Sequence, residues 1–227
     1  MNNESTAFYK EYGYVVIKNF IPDEELFALA ERMRMAQADE QSKEGGYFRD
    51  QQVPLAYSKI ALYDDLLERV LPECAGLMGV PNLCTVSSYA RIYENGAELR
   101  AHQDRPELQH SATVCLSRDS NVWNLCLYDL KGNLVKITQS AGDALFYRGK
   151  LVHWREGSYQ GHEQVQVFLH YYDSRVLSLL MIGLAKIFYH KKLRGRIKLL
   201  SGSYATYLCK FGRLVRKQLR RWCDCEL

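Results

Sequence analysis

Apolar side chains recur at helical spacing twice in the first third of the chain. Leu26, Leu29, Ala30 and Met33 follow an Asp23-Glu24-Glu25 first turn whose carboxylates suit the positive end of a helix, which predicts a helix over residues 23–38. Leu62, Leu66, Leu67, Val70 and Leu71 share one face of a second helical pattern over residues 60–78, which stops among the glycines and proline of residues 76–81. Ahead of both, Tyr14-Val15-Val16-Ile17 is a short β-branched run, and the chain is expected to open on that strand. Residues 42–50, with Gly45-Gly46, read as a loop.

From Leu83 the period changes. Runs rich in β-branched and aromatic residues occupy 85–93, 111–116, 122–128, 134–138, 144–147 and 164–172. Turn signals such as Glu94-Asn95-Gly96, Lys131-Gly132-Asn133 and Ala141-Gly142-Asp143 lie between them. Short strands at that spacing predict an antiparallel sandwich or barrel. Beyond Ser174 the pattern is helical again: Tyr204, Tyr207, Leu208, Phe211, Leu214, Val215, Leu219 and Trp222 form an apolar stripe, with Lys and Arg on the other side. The expected division is a domain over residues 1–173 and a basic amphipathic helical tail over 174–227.

Charge sharpens that division. The 227 residues carry a net charge of only +4, but residues 174–227 hold thirteen Lys and Arg against two Asp and Glu, which leaves the first 173 at −7. A cationic amphipathic tail fits an anionic membrane surface; nucleic acid is not an expected partner. The longest apolar stretch, 176–189, is broken by Lys186 and falls short of the roughly 20 residues a membrane span needs. Seven cysteines without a Cys-x-x-Cys pair, and a polar start without an apolar leader core, fit a cytoplasmic setting with peripheral membrane contact through the tail. The sequence has no Gly-rich phosphate loop and no Gly-x-Ser-x-Gly elbow, which leaves phosphate-handling and nucleophilic-hydrolase chemistry unsupported.

The sharpest chemical feature is His102-Gln103-Asp104. In an extended chain, residues two apart project to one side, so this imidazole and carboxylate can meet a single ion. His153, on a later strand and turn, supplies a third ligand. Two His and one carboxylate leave three positions of an octahedron open, as suits an Fe(II) enzyme that binds a co-substrate and dioxygen together; a closed zinc site would need a fourth protein ligand. Among the other histidines, His170 shares a strand face with Gln164, Gln166 and Phe168 and is expected to be a packed strand residue. His162 is expected in an exposed loop, and His110 and His190 lack a partner at ligand spacing.

Residues 89–99, Tyr-Ala-Arg-Ile-Tyr-Glu-Asn-Gly-Ala-Glu-Leu, followed by His102 and Asp104, resemble the first metal-ligand segment of the 2-oxoglutarate and Fe(II)-dependent dioxygenases, the prolyl-hydroxylase-type branch in particular. Gly142-Asp143-Ala144-Leu145-Phe146 leading to His153 is similar to that family's second segment, and Gly13 through Leu26 to its opening strand and helix. The resemblance covers residues 10–173. It implies an α+β fold, a double-stranded β-helix (a cupin-like jelly roll) with N-terminal helices packed on it and the basic helical extension behind. It implies a hydroxylase in which His102, Asp104 and His153 are the metal ligands and catalytic centre, with Fe(II) as cofactor and 2-oxoglutarate and dioxygen as co-substrates. A C–H bond of a small molecule or protein side chain would be hydroxylated as succinate and CO2 are released.

The chain departs from the family at one point. Where a Lys or Arg on the last strand commonly holds the distal carboxylate of 2-oxoglutarate, this sequence has His162, Glu163 and Gln164. A buried dicarboxylate needs a cation. Arg91, on one strand face with Tyr89 and Tyr93, is the preferred replacement, with Arg118 and Arg155 as open alternatives. Tyr93 matches a family tyrosine that approaches the co-substrate, and Gln164 offers an amide. The missing cation also motivates a second reading, a noncatalytic jelly-roll module that binds a metal or ligand and is tethered to a membrane or acidic partner by its tail. Substrate choice is expected to lie with residues 42–53 and 107–109.

Overall fold

The computed structural model of the chain describes residues 3–38, 46–50, 53–58 and 60–175, without side-chain detail at 38 and 46–57. The basic tail beyond Arg175, His190 and the membrane contact expected of the tail lie outside the described residues. Among the described residues, no helix is long and apolar enough to cross a membrane.

Helix α1 (Asn3–Tyr12) precedes strand β1 (Tyr14–Ile17), although the sequence pattern opens on the strand. Tyr9 is the helix's only buried residue, so it carries no apolar stripe that periodicity could reveal. Helix α2 (Asp23–Ala38) spans the predicted residues. Strands β2 (Gly46–Asp50) and β3 (Val53–Ser58) form an antiparallel hairpin in place of the loop expected over 42–50. Its order comes from afar, because β3 pairs with the long strand β4 (Leu83–Glu94). The helical pattern expected over 60–78 is two helices, α3 (Ala61–Arg69) and α4 (Leu71–Met78), broken at Val70. Pro72 is the cause: it lacks an N–H and its ring crowds the carbonyl four residues back, so it is tolerated only in a first turn.

The remaining elements are β5 (His110–Arg118), β6 (Leu125–Tyr128), β7 (Leu134–Ile137), β8 (Ala144–Arg148), β9 (His153–Arg155) and β10 (Glu163–Asp173). They build a seven-stranded sheet, β1-β8-β5-β10-β4-β3-β2, and a three-stranded sheet, β7-β6-β9. The paired strands are antiparallel throughout, as the sequence pattern predicts.

Strand alternation divides the large sheet into two buried faces. Ala90 and Ile92, Ala112 and Val114, Ala144 and Phe146, and Val165, Val167 and Leu169 turn to the helices and join Leu29, Met33, Tyr63 and Leu66 in one core. The residues between them turn to the small sheet. There Tyr93 and Phe168 meet Trp123 and Tyr159, while Leu145 and Tyr147 meet Leu125, Leu127 and Leu151. Each fully buried Val, Leu, Ile or Phe among them contributes about 1.5–3 kcal/mol. Asp143 fastens the N-terminal turn to this frame: it accepts from Lys18 Nζ at 2.7 Å, Asn19 N at 3.2 Å and Ser140 N at 2.8 Å. Gly142 beside it has φ +85°, and a Cβ there would stand 2.8 Å from the Ile21 carbonyl oxygen.

Candidate metal centre

Two segments distant in sequence are stitched side by side at one end of the sheets. Arg155 N donates to Leu99 O at 2.9 Å, and Asp104 N donates to Gly149 O at 2.8 Å. Between these contacts, His102 and His153 exchange N–H···O bonds of 3.1 and 2.9 Å. Gly149 permits the approach, since a Cβ there would lie 1.9 Å from Leu108 O and 3.0 Å from Asp104 Cβ.

The pairing brings ligand atoms of His102, Asp104 and His153 within 4.8 Å of one another. His102 Nδ1 lies 2.8 Å from Arg100 O, and His153 Nδ1 lies 2.9 Å from Leu151 O. A carbonyl oxygen can only accept, so both Nδ1 atoms carry a proton and Nε2 is the atom each ring has left to offer a ligand. His153 Nε2 stands 3.8 Å from Asp104 Oδ1, beyond a hydrogen bond. Burial pushes the His153 imidazole below its ordinary range against the opposing pull of Asp104, so the ring stays neutral. Two imidazoles and a carboxylate thus converge. This set fits a divalent transition-metal ion, and the Nδ1–carbonyl bonds are of the kind that orient metal-binding imidazoles.

The other carboxylate oxygen is occupied. Ser111 Oγ donates to Asp104 Oδ2 at 2.7 Å and, its only proton spent, accepts from His170 Nδ1 at 3.0 Å. The Tyr147 hydroxyl also hydrogen-bonds within this group, and burial keeps its phenol protonated. His170 is buried and stacked on Tyr89 at 5.3 Å, and burial lowers its pKa to about 4. It is the packed strand residue expected, and His162 is exposed as expected. Ser111 and Tyr147 escape the sequence pattern, because strand register alone sets them beside Asp104.

The triad opens into a cavity of about 440 Å³. Arg91 and Tyr93 line it and are buried, the Arg91 guanidinium lying 5.5 Å from the centre of the Tyr89 ring. Gln164 is not among the lining residues; its amide nitrogen donates to Gln166 Oε1 at 3.0 Å. Arg118 also lies off the cavity, whereas Arg155 lines it. Leu108 is the residue from the expected 107–109 segment that reaches the cavity, and the exposed Gln103 and Arg105 border it.

No protein family and no curated protein matches the sequence. Solved structures do. The non-heme alpha ketoglutarate-dependent carbocyclase SnoK from nogalamycin biosynthesis superposes with a TM-score of 0.63 at 15% identity, over 76% of this chain and 84% of its own. EctD from S. alaskensis, solved with 2-oxoglutarate and 5-hydroxyectoine, gives 0.61 at 14% identity, over 75% of this chain and 76% of its own. A prolyl-4-hydroxylase from Pseudomonas putida gives 0.57 at 14% identity, over 74% of this chain and 97% of its own. The fold is the one these proteins share. It is α+β with antiparallel sheets, and in it the two segments singled out from the sequence meet.

Proposed function

We propose that the chain is a non-heme Fe(II) and 2-oxoglutarate-dependent dioxygenase that hydroxylates a C–H bond of a small molecule or protein side chain, with release of succinate and CO2. The observation that carries this reading is the convergence of ligand atoms of His102, Asp104 and His153 within 4.8 Å of one another beside an open cavity. Its setting agrees. The large sheet contains β8-β5-β10-β4, and the small sheet β7-β6-β9 is extended by the His102–His153 bridge, which is the interleaved order of a jelly roll. SnoK, EctD and the prolyl-4-hydroxylase, whose names or bound molecules speak of ketoglutarate or hydroxylation, share the fold.

In this reading His102, Asp104 and His153 hold the ion by one face and leave its other face to the cavity. Fe(II) bound there would supply a site for the keto acid and for dioxygen. Arg91 and Tyr93 border the chamber in which the keto acid lies, and Leu99, Leu125 and Phe168 give it apolar walls that exclude water. The noncatalytic alternative started from a missing cation; the cavity carries two buried arginines, Arg91 and Arg155.

The test is oxygen-dependent conversion of 2-oxoglutarate to succinate by the Fe(II)-loaded protein. His102→Ala, Asp104→Ala and His153→Ala should each lower it by about 100-fold or more and weaken Mn(II) binding measured by calorimetry. Mn(II) affinity indifferent to all three substitutions would refute the reading.

A further inference from the structure

Arg155 is a buried cation with no ion pair among the described residues. It is 3% exposed, lines the cavity, and sits on β9 two residues beyond His153. Residues so placed project from the same side of a strand, with their Cα atoms roughly 6.6 Å apart. Its Nη1 donates to Trp123 O at 2.7 Å, and the guanidinium carbon lies 5.1 Å from the centre of the Trp123 ring. Its Nε and Nη2 are buried and have no hydrogen-bond partner among the described residues. The ionisable neighbours that act on it include Tyr93, Cys115, Cys126 and Tyr147. Leaving such a group buried and unpaired is costly, and a guanidinium cannot shed its charge.

The two unused nitrogens define the ligand. Nε–H and the neighbouring Nη2–H run side by side along one edge of the guanidinium, and that pair matches the two oxygens of a carboxylate. At the start of β10, where the family's cation commonly stands, the buried Gln164 and Gln166 are neutral. On β10, Gln164 donates to Gln166, and Gln166 donates to Thr113 Oγ1 and Gln139 Oε1, each at 2.9 Å, a neutral network whose amide hydrogens are turned to protein oxygens.

On these grounds, and resting on the function proposed above, we propose that Arg155 receives the distal carboxylate of the 2-oxo dicarboxylic acid whose other end meets the triad. The cation has in effect moved from the last strand of the large sheet to the last strand of the small one. Discrimination between a keto diacid and a keto monoacid then resides in one side chain two positions from a metal ligand.

The experiment uses the Mn(II)-loaded full chain and calorimetric titration with 2-oxoglutarate and with 2-oxopentanoate, which has the same length and no distal carboxylate. Wild type should bind the diacid about 100-fold more tightly, Arg155→Lys should keep part of that margin, and Arg155→Met should bind both acids at the weaker level. The metal-free Arg155→Met protein should melt at or above the wild-type temperature, because an unpaired buried charge has been replaced by an apolar chain of similar length. The proposal is overturned if Arg155→Met retains the preference, or if Arg91→Gln removes it and Arg155→Met does not. Wild type that fails to bind Mn(II) through the triad overturns the parent reading, a result distinct from metal binding without diacid preference, which overturns only the role of Arg155.

Discussion

Ser111 has one proton to give, and where it goes decides how Asp104 can meet a metal. Given to Oδ2, it leaves Oδ1 facing His153. Ser111→Ala removes that donor and strands the His170 Nδ1–H in the core, where an unpaired donor costs about 1–3 kcal/mol. Metal affinity should fall about 10-fold, read by Mn(II) titration, while Ser111→Thr should restore most of it. The contrast between this serine and the ligand it serves shows what the sequence makes visible. His102 and Asp104 are legible because two-residue spacing alone places them on one side of a chain. Ser111 is not, because its partners arrive through the pairing of β5 with β10, and no local pattern encodes that register. Arg155 lies between these cases: its spacing from His153 is readable, but its lack of a counterion among the described residues is a property of the assembled interior.

Among the elements, those that alternate or repeat strongly were legible, and those shaped by a distant neighbour were not. β1 and α2 stand where their patterns put them. The predicted strand over 122–128 begins only at Leu125, because Trp123 leaves the ladder to pack edge-on against Tyr93 at 5.1 Å. The β2–β3 hairpin reads as a loop because its pairing with β4, rather than its own residues, orders it. The turn between β8 and β9 offers the sharpest test at this scale. Gly149→Ala would drive a methyl group into Leu108 O and against Asp104, so the loop must shift. Thermal or urea unfolding should show a loss of about 1–3 kcal/mol, with weaker Mn(II) binding because the Asp104 backbone is displaced. Unchanged metal affinity would mean that the turn does not set the ligand.

Over the whole molecule, burial of neutral imidazoles makes stability depend on acidity. Burial lowers both His110, which hydrogen-bonds the Tyr9 hydroxyl at 2.7 Å, and His170 to about 4. The unfolded chain takes up these protons near the ordinary value of about 6.5, so it binds more protons than the folded chain between there and 4. Stability is complete above pH 6.5 and falls as the pH drops toward 4, by about 1.4 kcal/mol per unit for each histidine at the steepest. Urea unfolding at pH 7.5, 6 and 5 should trace the fall, and His110→Gln should make it shallower. A flat profile would show that these rings are protonated as easily inside the fold as outside it.

The reciprocal backbone bonds between His102 and His153 reach beyond the site they build. Neighbours along an extended chain look to opposite sides, so a slip of one place between these segments would swing one imidazole outward and leave its companion facing inward. A chelate can close only when two stretches separated by most of the β-rich region have found each other in the correct alignment. On the proposed function, capture of the ion would proofread assembly, and a misaligned chain would betray itself by its failure to bind metal before any catalytic assay was run.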